Sequence, residues 1–357
     1  MSHQTRKWIF RIGTLIVAGT LLYLGLRGVN LDSLGADLAA GRYIWAIPLF
    51  ATTLISHLIR AFRWRLLIQA LPEPAPKPVP VQRAFSALMI GYMINYLAPR
   101  FGEVVRTSHL SLREKRSFSG VFGTVVAERL LDVACLGVFL LTLPLVLGSR
   151  IRELYEIIAR PLRDILAGSA TEIVVISVLG LLVVGMGLFL VLRKAGARSS
   201  GGSVSAALQT FRTGLLTLGR SGHGFRIAVL TAAMWSCYAA MAYIPLRIFD
   251  LAGPDGLGPI DAWALMLIGS LGVVVPSPGG VGSYHFLTIQ ALVILWGSSQ
   301  ASAASYAIFT HIGQMMLYLV TGFIIILIEG IRWSELKSTS LQNASDAGII
   351  DSSEQTR

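Results

Sequence analysis

The sequence predicts an all-α polytopic membrane protein, an inverted-topology repeat with two re-entrant hairpins made of broken helices. The first reason is composition: 54% of the residues are hydrophobic and 14% are charged, whereas about a quarter are charged in an ordinary soluble domain. The second is that several apolar runs reach the roughly twenty residues needed to cross hydrocarbon. The third is a pair of apolar segments, one in each half of the chain, that Pro and Gly interrupt. Paired interruptions of this kind point to the substrate site of a transporter.

The formal net charge of +11 fits a membrane protein and does not by itself indicate a nucleic-acid partner. Excess Lys and Arg usually lie in cytoplasmic loops and set the orientation, and the sequence shows no nucleic-acid recognition module. Cys135 and Cys237 both lie inside apolar runs. We expect them to be small core residues rather than a disulfide or metal ligands.

In the first half, the order of segments predicts two crossings, a hairpin and a third crossing. No convincing cleavage site follows the apolar run Ile12–Leu26, so we expect an uncleaved first helix that starts in the cytoplasm. The second crossing is Tyr43–Ala70. The segment Ala84–Arg106 opens as an apolar helix, but Pro99 should end that helix near Ala98. Basic residues flank this segment on both sides, which predicts a helix pair that enters and leaves from the cytoplasm.

Phe118–Leu147 completes the first half, and the second half repeats the same order. Thr171–Leu192 and Phe225–Phe249 are predicted crossings, followed by the broken segment Leu267–Phe286 and a last crossing at Ala301–Ile328. The stretches that flank the second broken segment contain no Lys or Arg. This pattern predicts a hairpin that enters from the outside.

Each half would cross the membrane three times, so the second half must be inverted relative to the first. We assign repeat one to residues 8–147 and repeat two to residues 171–330, within a single transmembrane domain of residues 1–333. Residues 334–357 are predicted to be a disordered cytoplasmic tail. We expect a multi-pass protein of the cell membrane with both termini in the cytoplasm. A plain eight-helix bundle with Pro kinks is the alternative.

Three groups of polar and ionisable residues lie at or near membrane depth in the first half. An unpaired charge costs several kcal/mol there, so such groups are functional candidates by default. The first group is Arg60 and Arg63, the second is Asn95, Arg100, Glu103 and Arg106, and the third is Glu128, Arg129 and Asp132.

These residue types suit the binding of an anionic lipid head group. Guanidinium groups make bidentate contacts with phosphate, and the carboxylates could balance their charge or relay protons. The first N–H groups of a helix that restarts after Pro99 could also take an anion. Structural interpretations stay open: Arg60 and Arg63 could snorkel to the interface, Glu103 and Arg106 could neutralise each other, and the third group could form a purely structural network.

The second broken segment combines turn-forming residues with a few polar side chains. Pro and Gly stop a helix and let the backbone approach a ligand closely, so we predict that they act as gates. The gating residues of the two segments are Pro99, Gly102, Pro276, Pro278, Gly279, Gly280 and Gly282. Ser277 adds a hydroxyl group and His285 lies in the following helix, although a lone histidine is more often structural than a proton carrier.

The sequence contains no Walker A loop, no metal-binding Cys/His set and no G-x-S-x-G elbow. We therefore expect a protein that is not an enzyme and that uses no metal or cofactor. The PSPGGVG turn at residues 276–282 lacks the Lys of a phosphate-binding loop and lies between apolar segments.

Four motifs of the chain occur in an order known from one family. They are RAFRWR at Arg60–Arg65, NYLAPRFGEVVR at Asn95–Arg106, ERLLD at Glu128–Asp132 and PSPGGVG at Pro276–Gly282. Over roughly residues 8–330 the chain resembles the flippase-like transmembrane domain family of lysylphosphatidylglycerol synthases. The resemblance implies lipid translocation by a stand-alone member that lacks the soluble aminoacyl-transferase domain. The family often has an acid shortly after the PGG turn, where this chain has His285.

The leading interpretation is a flippase-like carrier that translocates an anionic or polyprenyl-linked lipid head group. Two alternatives stay open. One is an integral-membrane lipid-modifying enzyme with Glu103 or His285 as general base, and the other is a non-transporting scaffold for an envelope lipid synthase. The expected partners are a phospholipid or polyprenyl lipid and the bilayer, and a separately encoded lipid-modifying transferase is a further candidate.

Overall fold

The computed structural model describes residues 18–71, 78–97, 101–155, 157, 222–253, 256–274 and 281–330. Every regular element in these ranges is a helix, which confirms the predicted all-α class. The predicted crossing Thr171–Leu192, the start of the first crossing and the predicted tail at 334–357 lie outside the described residues. The domain and repeat boundaries stay predictions.

We number the described helices in chain order. The numbered helices are α1 (18–26), α2 (Leu31–Ala40), α3 (Ala46–Gln69), α4 (Val81–Leu97), α5 (Gly102–Glu114), α6 (Phe118–Leu140), α7 (Leu143–Leu147), α8 (Gly224–Ile248), α9 (Pro259–Val274), α10 (Ser283–Trp296) and α11 (Gln300–Glu329). Short helical stretches at Tyr43–Trp45, Gly148–Arg150 and 151–155 are not numbered. Four segments are long and apolar enough to cross a membrane. They are Tyr43–Gln69, Phe118–Tyr155, Gly224–Ile248 and Gln300–Glu329. All four coincide with predicted crossings, and a multi-pass membrane protein is confirmed.

The ends of the long helices follow from capping chemistry. The side chain of Ser117 accepts a hydrogen bond from the backbone of Gly120 at the start of α6, and Ser299 does the same from Ser302 at the start of α11. A capping hydroxyl satisfies one of the backbone N–H groups that a helix start leaves unpaired. The C-cap of α11 is Gly330 with a φ of 63°, a left-handed conformation that ends helices.

Two pairs of shorter helices lie between the long ones. The first pair is α4 and α5, with 17 and 13 residues, and the second is α9 and α10, with 16 and 14 residues. At 1.5 Å per residue these helices are about 20–25 Å long, less than the roughly 30 Å of a hydrocarbon core. Helix α4 ends at Leu97, next to the position where Pro99 was predicted to end it. That the two pairs are re-entrant stays a prediction.

Glycine lets the two helices of each pair approach closely. A Cβ at Gly102 of α5 would overlap the carbonyl oxygen of Gly91 in α4 and would lie 2.6 Å from Cγ of Asn95. In the second pair, a Cβ at Gly272 would lie 2.9 Å from the backbone of Ser283 and Tyr284. Both contacts are backbone against backbone, so no larger residue fits without separating the helices.

The helices pack in the same order in both halves. In the first half α3 packs against α4, α4 against α5, and α5 against α6; in the second half α8 packs against α9, α9 against α10, and α10 against α11. The halves meet where α3 packs against α8 and where α11 packs against α4. This shared order is what two copies of one repeat require. The inversion of one copy relative to the other stays a prediction.

Replacing Gly102 with Ala should lower the unfolding temperature of the detergent-solubilised protein. The added methyl group forces α4 and α5 apart, and such overpacking typically costs about 1–3 kcal/mol. Gly137→Ala is the matched control, because a Cβ at Gly137 in α6 meets no atom within 4 Å and Ala is the better helix former. Thermal melts followed by intrinsic fluorescence would contradict the close contact if both variants unfolded at the same temperature as the unchanged protein.

Candidate functional site

The polar faces of α3 and α6 meet inside the bundle. Arg60 and Arg63 are three residues apart on α3, and Glu128 and Asp132 are four apart on α6, so each pair shares a helix face. Nε of Arg60 donates to Oε1 of Glu128 at 2.5 Å, and Nη2 of Arg60 donates to Oδ2 of Asp132. Nη2 of Arg63 donates to Oδ1 of Asp132 at 2.6 Å and to Oε1 of Glu128 at 3.3 Å. The side chains of Arg63 and Glu128 are completely buried.

Helix α5 adds two more ion pairs with α6. Nη1 of Arg106 lies 3.3 Å from Oε2 of Glu128, and Nη2 of Arg129 donates to Oε1 of Glu103 at 2.8 Å. Glu103 and Arg106 therefore each pair with α6 and not with each other. The guanidinium of Arg106 also lies over the ring of Trp64 in α3, 5.0 Å from its centroid.

These ion pairs form what we call the charge network. Its members are Arg60, Arg63, Glu103, Arg106, Glu128, Arg129 and Asp132. Four arginines and three carboxylates leave one surplus positive charge within the network. A surplus charge in surroundings of low dielectric constant strongly attracts an ion of opposite sign. The network is therefore suited to hold one anion.

A cavity of about 620 Å³ opens beside the charge network. Its wall includes side chains from both halves, and Arg60, Arg129 and Asp132 are the charged members of that wall among the described residues. Arg63 and Glu128 lie behind it. This volume is in the range of pockets that hold a small molecule or a head group, so the charge network faces a space large enough for a ligand.

Aromatic and histidine side chains surround the charged end of the cavity. Nε2 of His57 lies 2.8 Å from the hydroxyl oxygen of Tyr318. The rings of Tyr92 and Tyr318 stack with centroids 5.0 Å apart, and the hydroxyl of Tyr238 accepts from Nη1 of Arg60 at 3.4 Å. Hydroxyl groups and rings thus lie next to the charged groups at this end of the cavity, where they offer hydrogen-bond donors and acceptors.

Other predicted site residues lie at different distances from the cavity. Asn95 lines it, and Oδ1 of Asn95 accepts from the backbone N–H of Gly102 at 2.9 Å, which caps the start of α5. His285 is buried with its ring 4.9 Å from that of His311, and only His311 of the two lines the cavity. Gly282 has a φ of 95° and packs against Ala18 of α1.

The remaining predicted residues lie outside the described part of the chain. They are Pro99, Arg100, Pro276, Ser277, Pro278, Gly279 and Gly280. In the part of the chain that the structure describes, no three His, Cys, Asp or Glu side chains are arranged to hold a metal ion.

Comparison with protein families decides where the chain belongs. The family model described as the lysylphosphatidylglycerol synthase TM region matches residues 10–322. The chain belongs to this family. The match spans both broken helix pairs and the whole charge network. Comparison with curated proteins gave no match, and comparison with solved structures gave none. As a member of the lysylphosphatidylglycerol synthase TM region family, the protein is a multi-pass membrane protein of a lipid-related family.

Sequence reasoning about this family member missed several side chains that line the cavity. They include His57, Tyr92, Tyr96, Tyr238, Tyr284, Tyr318 and Gln314. The sequence could have indicated His57 as a site residue, since it lies three residues before Arg60 on the same face of α3. Tyr92 and Tyr96 are four apart and carry the hydroxyl groups of an otherwise largely apolar helix end. The tyrosines of α8, α10 and α11 had no such signal, because aromatic residues are common in membrane helices.

Replacing Glu128 with Gln should strongly destabilise the protein, because it removes the carboxylate that three buried arginines share. Breaking a buried ion pair from one side typically costs about 3–5 kcal/mol. The fraction of monodisperse protein after heating, followed by size-exclusion chromatography, measures the loss. Glu153→Gln is the control, since Glu153 is exposed.

A double-mutant cycle with Arg106 tests the same contact. If Oε2 of Glu128 and Arg106 stabilise each other, the double variant Glu128→Gln, Arg106→Gln should lose less stability than the sum of the single variants. Additive losses would contradict an energetic link between α5 and α6 through this pair.

Proposed function

We propose that this protein is a flippase-like carrier that moves the head group of an anionic phospholipid or polyprenyl lipid across the cell membrane. The observation that carries the proposal is the cavity of about 620 Å³ whose charged end belongs to a network with one surplus positive charge. A lipid phosphate is the anion that a membrane offers to such a site. Membership of a lipid-related family supports the same substrate class.

Among the described residues, Arg129 and Arg60 are the arginines that line the cavity, and they bind the phosphate in this proposal. A guanidinium carries five N–H donors. Arg129 uses Nη2 on Glu103, and 40% of its side chain is exposed, so it can reach a ligand. Arg60 is held by Glu128 and Asp132 and contributes mainly its charge. Binding then needs no rearrangement of the buried pairs.

The two broken helix pairs provide the moving parts in this proposal. We infer that the halves are inverted repeats and that the pairs enter the membrane from opposite sides, with both termini of the chain in the cytoplasm. The same packing order in both halves and the shortness of α4, α5, α9 and α10 support this arrangement. In carriers built from inverted repeats, one half rocks against the other around a site at their interface. The cavity, lined from both halves, is such a site.

We further propose that the protein is not an enzyme. The two candidate bases do not suit the role in this structure. The carboxylate of Glu103 is engaged by Arg129 at 2.8 Å, and His285 is buried behind His311. A separately encoded transferase that supplies a modified lipid remains a candidate partner.

Removing the charge of Arg129 should slow the transfer of an anionic lipid, whereas removing the charge of its partner should not. Arg129→Gln abolishes the surplus positive charge, and Glu103→Gln increases it by one. A hydrogen bond to a charged group contributes about 1.5–3 kcal/mol, which corresponds to a loss of roughly tenfold or more for Arg129→Gln. We expect Glu103→Gln to keep at least the original rate.

The assay uses proteoliposomes that contain phosphatidylglycerol with a fluorescent NBD group on one acyl chain. Dithionite added outside quenches the NBD fluorescence of the outer leaflet and so measures how much labelled lipid is there. Both variants break the same ion pair, so a structural effect alone would lower the two rates equally, and that outcome would refute the proposal. Thin-layer chromatography of the same lipids distinguishes the enzyme alternative, which predicts an altered head group. Unchanged sidedness together with unchanged chemistry would favour a scaffold.

A further inference from the structure

The cavity extends toward one end of the helix bundle and stops before the other. On α3 its wall ends at Arg60, and on α11 it ends at Tyr318. On α6 the wall begins only at Arg129, and on α8 only at Trp235. Among the described residues, the last turns of α3 and α11 and the first turns of α6 and α8 therefore contribute nothing to the wall.

The helix ends that the cavity does not reach lie together. The end of α5 lies beside the start of α4, because Nε of Arg83 is 3.4 Å from Oε1 of Glu114. The end of α3 lies there too, since Nε of Arg65 donates to the backbone oxygen of Val79, just before α4, at 2.6 Å. We call this side of the bundle the closed end. The positive-inside rule predicts that it faces the cytoplasm.

An apolar cluster joins the two halves between the cavity and the closed end. Side chains of α4 and α5 come from the first half, and α11 packs against them from the second. The buried members are Ile90, Met93, Ile94 and Val105, and Leu319, Ile325 and Ile326 pack against them. A Cβ at Gly322 of α11 would lie 2.6 Å from Cβ of Met93. Close apolar packing of this kind excludes water and a polar head group.

Polar contacts from α5 hold the end of α11 at the closed end. Nε2 of His109 lies 3.1 Å from Oε2 of Glu329, and the two side chains are 4% and 16% exposed. One turn further along α5, Nη2 of Arg113 donates to the backbone oxygen of Glu329 at 3.2 Å. The last carbonyl groups of a helix have no partner within the helix, and a cation near them is favourable. Glu329 is thus held through both its side chain and its backbone.

The contacts of Glu329 join the two halves, whereas the neighbouring ion pair does not. His109 and Arg113 lie on α5 of the first half, and Glu329 is the last residue of α11 in the second half. Arg83 and Glu114 lie on α4 and α5, both in the first half. A movement of one half against the other would therefore break the contacts of Glu329 and leave the Arg83–Glu114 pair intact.

We propose that His109, Arg113 and Glu329 form a gate that holds the closed end shut. The gate is engaged in the described conformation, in which the cavity extends toward the opposite side of the membrane. Release of Glu329 lets α11 separate from α5, and the apolar cluster then opens toward the cavity. The inference rests on the proposed carrier function, because a carried head group must have access to each membrane surface in turn.

Loss of the Glu329 carboxylate should expose the apolar cluster more often. Val105→Cys, in a chain whose free Cys135 and Cys237 are replaced with Ala, places a thiol at a position that is 3% exposed. The rate at which a polar maleimide modifies this thiol in the detergent-solubilised full chain reports opening. We expect Glu329→Gln to raise that rate roughly fivefold or more, since losing one hydrogen bond to a charged group shifts an equilibrium by at least that factor.

Glu114→Gln is the matched control for this measurement. It removes the same charge at the same end of the bundle, but it breaks a pair within the first half. The labelling rate of Val105→Cys should therefore stay unchanged in this variant. Equal rates in both variants and the parent chain overturn the gate. An equal rise in both variants also overturns it, because it would indicate general loosening of the closed end.

A reversible crosslink tests the gate in a second way. His109→Cys and Glu329→Cys, combined in the same background, can be joined by a bifunctional thiosulfonate reagent. We expect the crosslinked protein to lose nearly all transfer of NBD-labelled phosphatidylglycerol in proteoliposomes, and a reducing agent to restore it. The same molecules before and after reduction are their own control. Transfer at an unchanged rate while the crosslink is intact overturns the gate.

The two experiments separate the gate from the carrier function. If the protein transfers no lipid even without a crosslink, the carrier proposal fails, and the labelling rates still decide whether Glu329 holds the closed end. If lipid is transferred but Val105→Cys is labelled equally fast with Glu329→Gln and with Glu114→Gln, the carrier proposal stands and the gate is refuted.

Discussion

The carboxylate of Glu128 is the group on which the described fold depends. It is completely buried in a membrane helix, and three arginines from α3 and α5 surround it. A buried charge is tolerated only when partners offset its desolvation, so α3, α5 and α6 must pack in one relative position. Arg63 extends the constraint to the second half, because its Nη1 donates to the hydroxyl of Thr231 in α8 at 3.2 Å.

The break between α4 and α5 makes that arrangement possible. In a continuous helix through residues 81–114, Glu103 and Arg106 would lie far from the start of α4. Because the helix is broken, α5 turns back and packs against α4. The close contact between Gly91 and Gly102 lets the two helices lie backbone against backbone. Asn95 then caps the start of α5. The turn between α4 and α5 thus places Glu103 and Arg106, the members of the charge network on α5, beside α6.

Pairing within the network leaves the cavity with two unlike ends. At one end the arginines outnumber the carboxylates, and at the other, hydroxyl, amide and imidazole groups carry no fixed charge. A lipid head group likewise consists of two unlike parts, a charged phosphate and the polar group attached to it. The cavity is lined from both halves of the chain, so a relative movement of the halves would change access to it. Fold, charge and proposed transport are connected through this one space.

Much of this was predictable from the sequence by local rules. Composition and hydrophobic length determined the all-α membrane class, and Pro99 indicated where α4 ends. Spacings of three and four placed Arg60 with Arg63 and Glu128 with Asp132. Only the tertiary structure decided which charges meet: Glu103 pairs with Arg129 and not with Arg106, which is its neighbour at a spacing of three. The hydroxyl-lined end of the cavity could likewise not be predicted from the sequence, since it depends on how α10 and α11 are rotated toward the first half. Spacing along a helix is a property of the chain, whereas distances between helices arise only when backbones pack.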